Sequence, residues 1–523
     1  MSEFEPTRVD CSGMFEIVPM YDAQRLEPAA LRLLELLAFL GTGLPETLVK
    51  ALALELLPAA AAADEDEDEG DDEDDDDDDE EEEDDTPPYD EAAYAAGRDA
   101  LSAEPLIVLE GPEKKLVILD ALQNQVFATL NDDKRHRFFA GVTRAIWAEW
   151  PAALPAPSQP PLLPEPKTRA QQLLLVSRWP ACEDLEHTVT RLEDLYPSIR
   201  ELLSDEEALL CGKLITEGAW FQIERGYRSK IIPCLITAMH IGLATEHPDA
   251  AAFVADVRFC LGVVAMESND FGVSRTHKEK SFAIVAGLCG GGGGSPDADD
   301  ERLALAYAER GVSRLQDARY DEAVADTQAA IRIMRRLRVP HGAPEANLAW
   351  ALLAQRRLAE CEALLDESLA AAAHDGEGTG LGLLLSAAAA LRAAQGDAEE
   401  SGACLRRAWE HLCGVVGKRD PCTARVAHKL AEHLLRRSEP EEALVLLNEA
   451  LNAWGVDPLA NQNEEARTLY WKSRAVAALG RAETATRLRK KSILLYNDIT
   501  NESKDVDTIS AQDFDALVPF WSL

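Results

Sequence analysis

A chain of 523 residues is several times the length of one compact domain, and 46% apolar with 28% charged side chains describes a folded, helix-rich protein and excludes global disorder. Ninety-four acidic against 52 basic residues give a formal charge of −42, which argues against nucleic acid and anionic membranes as partners and favours basic ones. The opening MSEFEPTRVD lacks a secretory pattern, no uncharged run reaches a membrane span, and ten scattered cysteines include no CxxC pair. The chain therefore reads as soluble and cytoplasmic, with the nucleus as the alternative, and without a disulfide framework.

In chain order, residues 25–57 carry apolar side chains at helical spacing, broken by GTGLP into two helices. Residues 64–85 follow, of which 21 are Asp or Glu; self-repulsion predicts a disordered, solvated insertion. A helix is predicted over 89–103, a β-hairpin from LIVLEG and KKLVILD around Gly111-Pro112, and a further helix over 134–150. Three helices with a hairpin wing make 1–150 a small winged-helix-like domain. The Pro-rich stretch 151–168 is expected to be an extended spacer.

From 169 to 497 the sequence is a succession of amphipathic helices with self-similarity near 40 residues. In each unit a small residue lets two helices approach, an aromatic or apolar residue follows the turn, and Ala comes three residues later, which is the tetratricopeptide pattern. The residues after the turn are Tyr227, Phe271, Tyr320, Leu358, Ala398, Pro440 and Ala482, at steps of 44, 49, 38, 40, 42 and 42. The clearest unit has Gly311, Tyr320, Ala323 and Ala330; a later one repeats Ala443 and Ala450. The fold class is accordingly mainly α. It is a superhelical solenoid of helical hairpins, degenerate over 169–289, interrupted by a Gly-rich linker at 290–300, regular over 301–497 and ending in a tail at 498–523.

No catalytic, cofactor or metal residue is assigned, and the chain reads as a non-enzyme. The Gly run lacks the following Lys-Ser or Lys-Thr of a phosphate loop. Cys404, His411, Cys413, Cys422, His428 and His433 match no zinc spacing and read as core thiols and solvated histidines. Placing the first helix of each repeat in register puts Arg425, Lys429, Arg436, Arg467 and Arg474 on the inward side, a basic partner-binding groove in an acidic protein. The competing reading pairs those residues within their own helices with the many glutamates.

Four stretches carry a family resemblance. LRLLELLAFLGTGLPETLV resembles the opening winged-helix segment of fungal NLR-like signal-transduction ATPases, and LVILDALQNQV resembles the hairpin strand and helix that follow it. RWPACEDLEHTVTRL resembles the pattern that opens their helical region, and DFDALVPFWSL their C-terminal tail. In that family an NB-ARC or NACHT nucleotide-binding domain precedes the winged helix and the repeats sense a ligand. This sequence holds no GxxxxGK[ST], and Leu119 and Asp120 stand where the family has a nucleotide-sensing His-Arg pair, although Gln123 matches. The resemblance implies a sensor and scaffold part without its ATPase.

The function expected is non-enzymatic recognition of a protein or peptide along the superhelix, with no nucleic acid, membrane or cofactor involved. The alternative is an acidic chaperone that holds basic proteins such as histones through residues 64–85. A third expectation is that this acidic run pairs with the chain's own basic groove.

Overall fold

The computed structural model describes residues 25–57, 89–112, 114–155, 162–166, 176–290, 298–339, 341–372 and 378–519. The acidic run at 64–85, residues 156–161 and 167–175 around the Pro-rich stretch, and residues 291–297 of the Gly-rich segment lie outside them. The chain divides into two compact units, Met1–Glu149 with Glu183–Glu207, and Trp150–Cys182 with Ala208–Leu523.

The first unit contains helices α1 (Pro28–Leu37), α2 (Glu46–Leu56), α3 (Glu91–Ala103), α4 (Asp120–Thr129) and α5 (Asp132–Glu149), and strands β1 (Leu44–Pro45), β2 (Ile107–Glu110) and β3 (Lys115–Ile118). Gly111, at φ 70°, lies in the turn of the β2–β3 hairpin, in a left-handed conformation that costs glycine little. β1 adds a third antiparallel strand, giving the order β1-β3-β2 with Leu44 opposite Leu116. The GTGLP break is thus more than a helix stop. Gly41 donates its N–H to Thr188 Oγ1 at 3.0 Å, and a Cβ there would collide with the backbone of His187. That contact seats the part of helix α6 (Trp179–Ile199) from Glu183 onward against this unit. Phe39 fills the centre, with Phe127 and Phe138 at 5.5 and 5.6 Å.

The second unit is built of antiparallel hairpins. Their first and second helices are α7 (Asp205–Glu224) and α8 (Ile232–Ala244), α9 (Ala250–Glu267) and α10 (Phe271–Leu288), α11 (Glu301–Gln316) and α12 (Tyr320–Leu337), and α13 (Gly342–Ala354) and α14 (Leu358–Ala372). Then come α15 (Gly380–Ala394) and α16 (Ala398–Val415), α17 (Pro421–Arg436) and α18 (Pro440–Trp454), and α19 (Gln462–Ala478) and α20 (Ala482–Thr500), before a short α21 (Ala511–Ala516). Each hairpin packs on the next, as a solenoid requires.

Six of the seven residues read from the sequence as following a turn are the first residues of second helices: Phe271, Tyr320, Leu358, Ala398, Pro440 and Ala482. Tyr227 is the exception, because α8 begins only at Ile232. Three residues after each of the six stands a small buried side chain: Ser274, Ala323, Cys361, Ser401, Ala443 or Ala485. Nine residues before each stands another, Gly262, Gly311, Ala349, Ala389, Ala431 or Ser473, on the facing helix. Where hydrogen bonds join the two positions they are short-range: Ser274 Oγ donates to the Gly262 carbonyl at 2.8 Å, and Cys361 Sγ to that of Ala349 at 3.6 Å. A side chain on Gly311 would meet Thr327 Oγ1 at 2.6 Å.

The turns repeat as closely as the contacts. Asn269, Ala318, Arg356, Gly396, Ser438 and Gly480, each two residues before a second helix, all have φ between 57° and 85°. The residue that follows each one donates its N–H back five residues, as Arg319 does to the Arg314 carbonyl, at 2.8 to 3.1 Å. This is the Schellman closure of a helix C-terminus. Non-glycine residues in the left-handed region cost roughly 1 to 2 kcal/mol, of which glycine gives back about half as chain entropy. Ala318→Gly is therefore expected to raise, and Gly396→Ala to lower, unfolding free energy by about 1 kcal/mol each in urea titrations, with opposite shifts of the midpoint.

The described parts of the Pro-rich stretch are not a free spacer. Ala152, Ala153, Leu154 and Leu163 are buried, the Glu217 carboxylate accepts the N–H groups of Ala153 and Leu154 at 2.9 and 2.8 Å, and Leu163 donates to Asp249 at 2.9 Å. Arg178 and Trp179 of the RWPAC motif both donate to Glu224, at 2.8 and 3.1 Å. Two glutamates one helix turn pair apart on α7 thus hold the segment that proline composition alone leaves extended.

Candidate functional site

First helices line the inner side of the second unit. Residues of α7, α9, α11, α13, α15 and α17 surround a cavity of about 320 Å3. Its wall is apolar, with Trp220, Phe259, Val263, Leu305, Trp350 and Leu383 among its residues, and Glu267, Glu301, Glu309, Arg425 and Lys429 supply charge. The indole N–H of Trp220, a residue only 4% exposed, has no acceptor among the described residues. Lys429 Nζ stands 4.7 Å from the centre of the Trp350 ring, a cation–π contact, and burial with Arg467 nearby pushes its pKa down to about 8.

A set of buried ionic contacts closes this interior. Asp457, between α18 and α19, accepts the backbone N–H groups of Arg228 and Ser229 at 2.7 Å each. The Arg228 guanidinium reaches the Glu267 carbonyl at 2.9 Å and Asn461 Oδ1 at 3.2 Å, and Asn269 donates to Glu464 at 3.1 Å. Arg425 of α17 pairs with Glu267 of α9. The first two hairpins are in this way joined to the last two, and the superhelix closes on itself. Burial alone would raise Glu267, but Arg425 and Arg228 hold its carboxyl below the ordinary range; at Glu464 burial outweighs the same two cations and raises it.

The five basic residues assigned from sequence all lie on α17 and α19. Arg425, Lys429, Arg436 and Arg467 gather there, while Arg474 stacks on Trp471, 4.6 Å from its ring centre. Chain acids meet most of that charge: Arg425 pairs with Glu267, Arg467 with Glu432 and, at 2.7 Å, Asp515, and the exposed Arg436 with Glu432 at 3.1 Å. Only the Arg436 pair lies within one helix. The others join different helices, Arg467 to the neighbouring first helix and the tail and Arg425 to a distant repeat, which helix-face reasoning does not reach. His428 and Cys404 are equally structural. His428 is held between Thr468 and Glu432 at 2.9 and 3.0 Å, Cys404 is buried, and among the described residues no group of three or more potential ligands is placed to hold a metal.

The apolar wall was not assigned from sequence, although a signal existed. α9 and α13 are apolar on more than one face, which a helix with one buried side has no use for.

Against known proteins, residues 380–454 match the tetratricopeptide repeat family model. That span is α15 to α18. These two hairpins are tetratricopeptide repeats. Among solved structures the chain is similar to a putative kinesin light chain with nearly identical TPR-like repeats from Podospora anserina, at 18% identity over 39% of this chain and 98% of that one, with a TM-score of 0.32. It is also similar to a signal-transduction ATPase with a tetratricopeptide repeat sensor from Pyrococcus horikoshii, at 13% identity over 92% of this chain and 65% of that one, with a TM-score of 0.37. A third likeness is to NprR in complex with its cognate peptide NprX, at 13% identity, 66% and 96% coverage and a TM-score of 0.40. No curated protein matches in sequence. Among the described residues no helix is long and apolar enough to cross a membrane.

Two outcomes follow from the closing contacts. Arg425→Met leaves Glu267 and Glu464 buried beside an apolar side chain and is expected to cost roughly 3 kcal/mol or more, whereas adding Glu267→Met recovers most of that loss. A double variant no more stable than the single one in urea would show that the pair is not coupled. His428 is the second case. Burial, helped by Arg467, lowers its pKa to about 4, against the hydrogen bond to Glu432. The unfolded chain then takes up the proton first as pH falls, so stability is present above pH ~6.5 and declines toward pH ~4. Between pH 7 and 5 the loss is about 2 kcal/mol, and the difference in slope between the parent chain and His428→Gln reads it directly.

Proposed function

We propose that this chain is a protein-interaction module whose superhelix takes an extended peptide segment into the apolar cavity. The observation that carries this reading is the cavity itself, walled by the first helices of six successive hairpins. Solenoids of this kind recognise partners with the side chains that each repeat turns inward. A buried indole N–H without an acceptor among the described residues, at Trp220, supports a ligand that brings a carbonyl; Lys429 and Glu301 supply charge at the wall.

The first unit is read here as a winged helix, supported by three helices followed by the β2–β3 hairpin. Gln123, which the NLR-like family shares, is buried and donates to the carbonyls of Leu37 and Leu40 at the end of α1, so its part in this chain is to cap that helix. The chain as a whole is read as the sensor and scaffold part of an NLR-like protein, with the boundaries drawn from sequence at 150, 168, 289, 300 and 497.

The test is a random peptide library displayed on phage and panned against the parent chain and against Asn347→Trp. Asn347 is a half-buried residue of the cavity wall, so a larger side chain there is expected to fill the cavity. Enrichment of peptides on the parent that is lost on Asn347→Trp is expected; equal enrichment on both would place binding elsewhere.

A further inference from the structure

The C-terminal tail contacts the repeats as a bound peptide would. Phe514 stacks on Tyr470 of α19 with ring centres 4.6 Å apart and meets Tyr496 edge-on at 5.5 Å. One residue on, Asp515 accepts from Arg467 Nε at 2.7 Å. Two further on, the Leu517 carbonyl accepts from the Asn463 side-chain amide at 2.9 Å. Val518, 1% exposed, then sits with Arg425, His428, Trp454 and Thr468 around a small recess. An aromatic anchor and a charge pair on the short helix α21, followed by a side-chain amide on a backbone carbonyl, are elements by which a groove reads a short peptide. Arg425 lines both this recess and the main cavity, so the tail lies where the cavity's α17 side begins.

We propose that the α17–α19 face is a binding surface for a peptide of the tail's own chemistry, an aromatic residue followed at once by an acid and then by two aliphatic residues two and three positions later. The tail is its intramolecular occupant, and a partner peptide with that pattern replaces it. The proposal rests on the reading of the superhelix as a peptide binder and adds the partner's chemistry and the competitor that regulates access. Tethering gives the tail a high effective concentration, so a free peptide gains the face only when it binds more tightly or when the tail is removed.

Charge supports this occupant over others. Arg467 is 7% exposed and faces two carboxylates, Glu432 from its neighbour helix and Asp515 from the tail. Loss of Asp515 leaves the Arg467 pairing with Glu432 in place, while the outer acid position at Arg467 opens to an acidic side chain from elsewhere. The contacts of the tail meet those that close the superhelix at Arg425, which lines the Val518 recess and pairs with Glu267, whereas the Arg228 and Asp457 contacts involve no tail residue.

The probe is a fluorescein-labelled synthetic peptide of residues 505–523. It is titrated into the full chain and into a chain ending at Ser510, with folding of the latter checked by circular dichroism. The shortened chain is expected to bind the peptide roughly tenfold or more tightly than the full chain. Phe514→Ala or Asp515→Lys in the peptide should abolish that binding, and Arg467→Glu in the shortened chain should restore binding of the Asp515→Lys peptide. Equal binding to both chains, or none to a folded shortened chain, overturns the proposal. Should the shortened chain not fold, a full chain carrying a protease site inserted after Asp505 is cut in its native state and gel-filtered with the labelled peptide. Exchange of the cut tail for the peptide supports the proposal, and a tail that stays bound without exchange overturns it. The two readings fail separately. Library peptides that ignore Asn347→Trp count against the cavity, while tail-peptide binding speaks only to the α17–α19 face.

Discussion

Close approach of two helices at a pair of small side chains is the constraint from which the second unit is built. With glycine, alanine, serine or cysteine at both positions, the helices of a hairpin meet nearly backbone to backbone, and any bulk added at either one must displace its neighbour. The same contact fixes where the second helix begins, nine residues after the first small residue and three before the second. Identical turns then follow, because a chain leaving one helix and entering another at that separation has a left-handed residue as its shortest route. Repetition of one hairpin geometry turns every first helix to the same side, and an inner wall results.

The ionic contacts between Arg228, Glu267, Arg425, Asp457 and Glu464 turn that wall into a cavity. Burying so many charges is favourable only where each finds an opposite partner or a hydrogen bond, and here the partners come from hairpins far apart in sequence. Such contacts favour one pitch of the superhelix over neighbouring ones. Direction of each shift in proton affinity follows from the same balance: Glu267 has two guanidiniums close by and is held charged, whereas Glu464 is equally buried and stands farther from them.

Much of this was legible in the residues. Period, hairpin class and the first residue of six second helices came directly from the small–aromatic–small spacing around Tyr320, because that spacing is itself the packing contact. Tyr227 misled because Gly226, at φ 83°, is the left-handed residue immediately before it, so the register there runs one residue later and the chain takes four more residues to enter α8. Strand β1 was missed because two residues, Leu44 and Pro45, carry no alternation to detect. The five basic residues were read from their helix faces without their acids, since Glu267 and Asp515 lie 158 and 48 residues from the arginines they meet. Local pattern reports what a helix face offers, and only the closed chain decides what is set against it.

Closure also alters how the solenoid comes apart. In an open array the terminal repeats have one neighbour and fray first, so stability falls away toward both ends. Here the turn at Arg228 near one end is fastened to Asp457 near the other, which gives the outermost hairpins a second neighbour each. Such an array is expected to behave as a ring: with its outermost described hairpins fastened together, loosening one hairpin weakens its neighbours on both sides, and the second unit should be lost in one step instead of fraying from its ends.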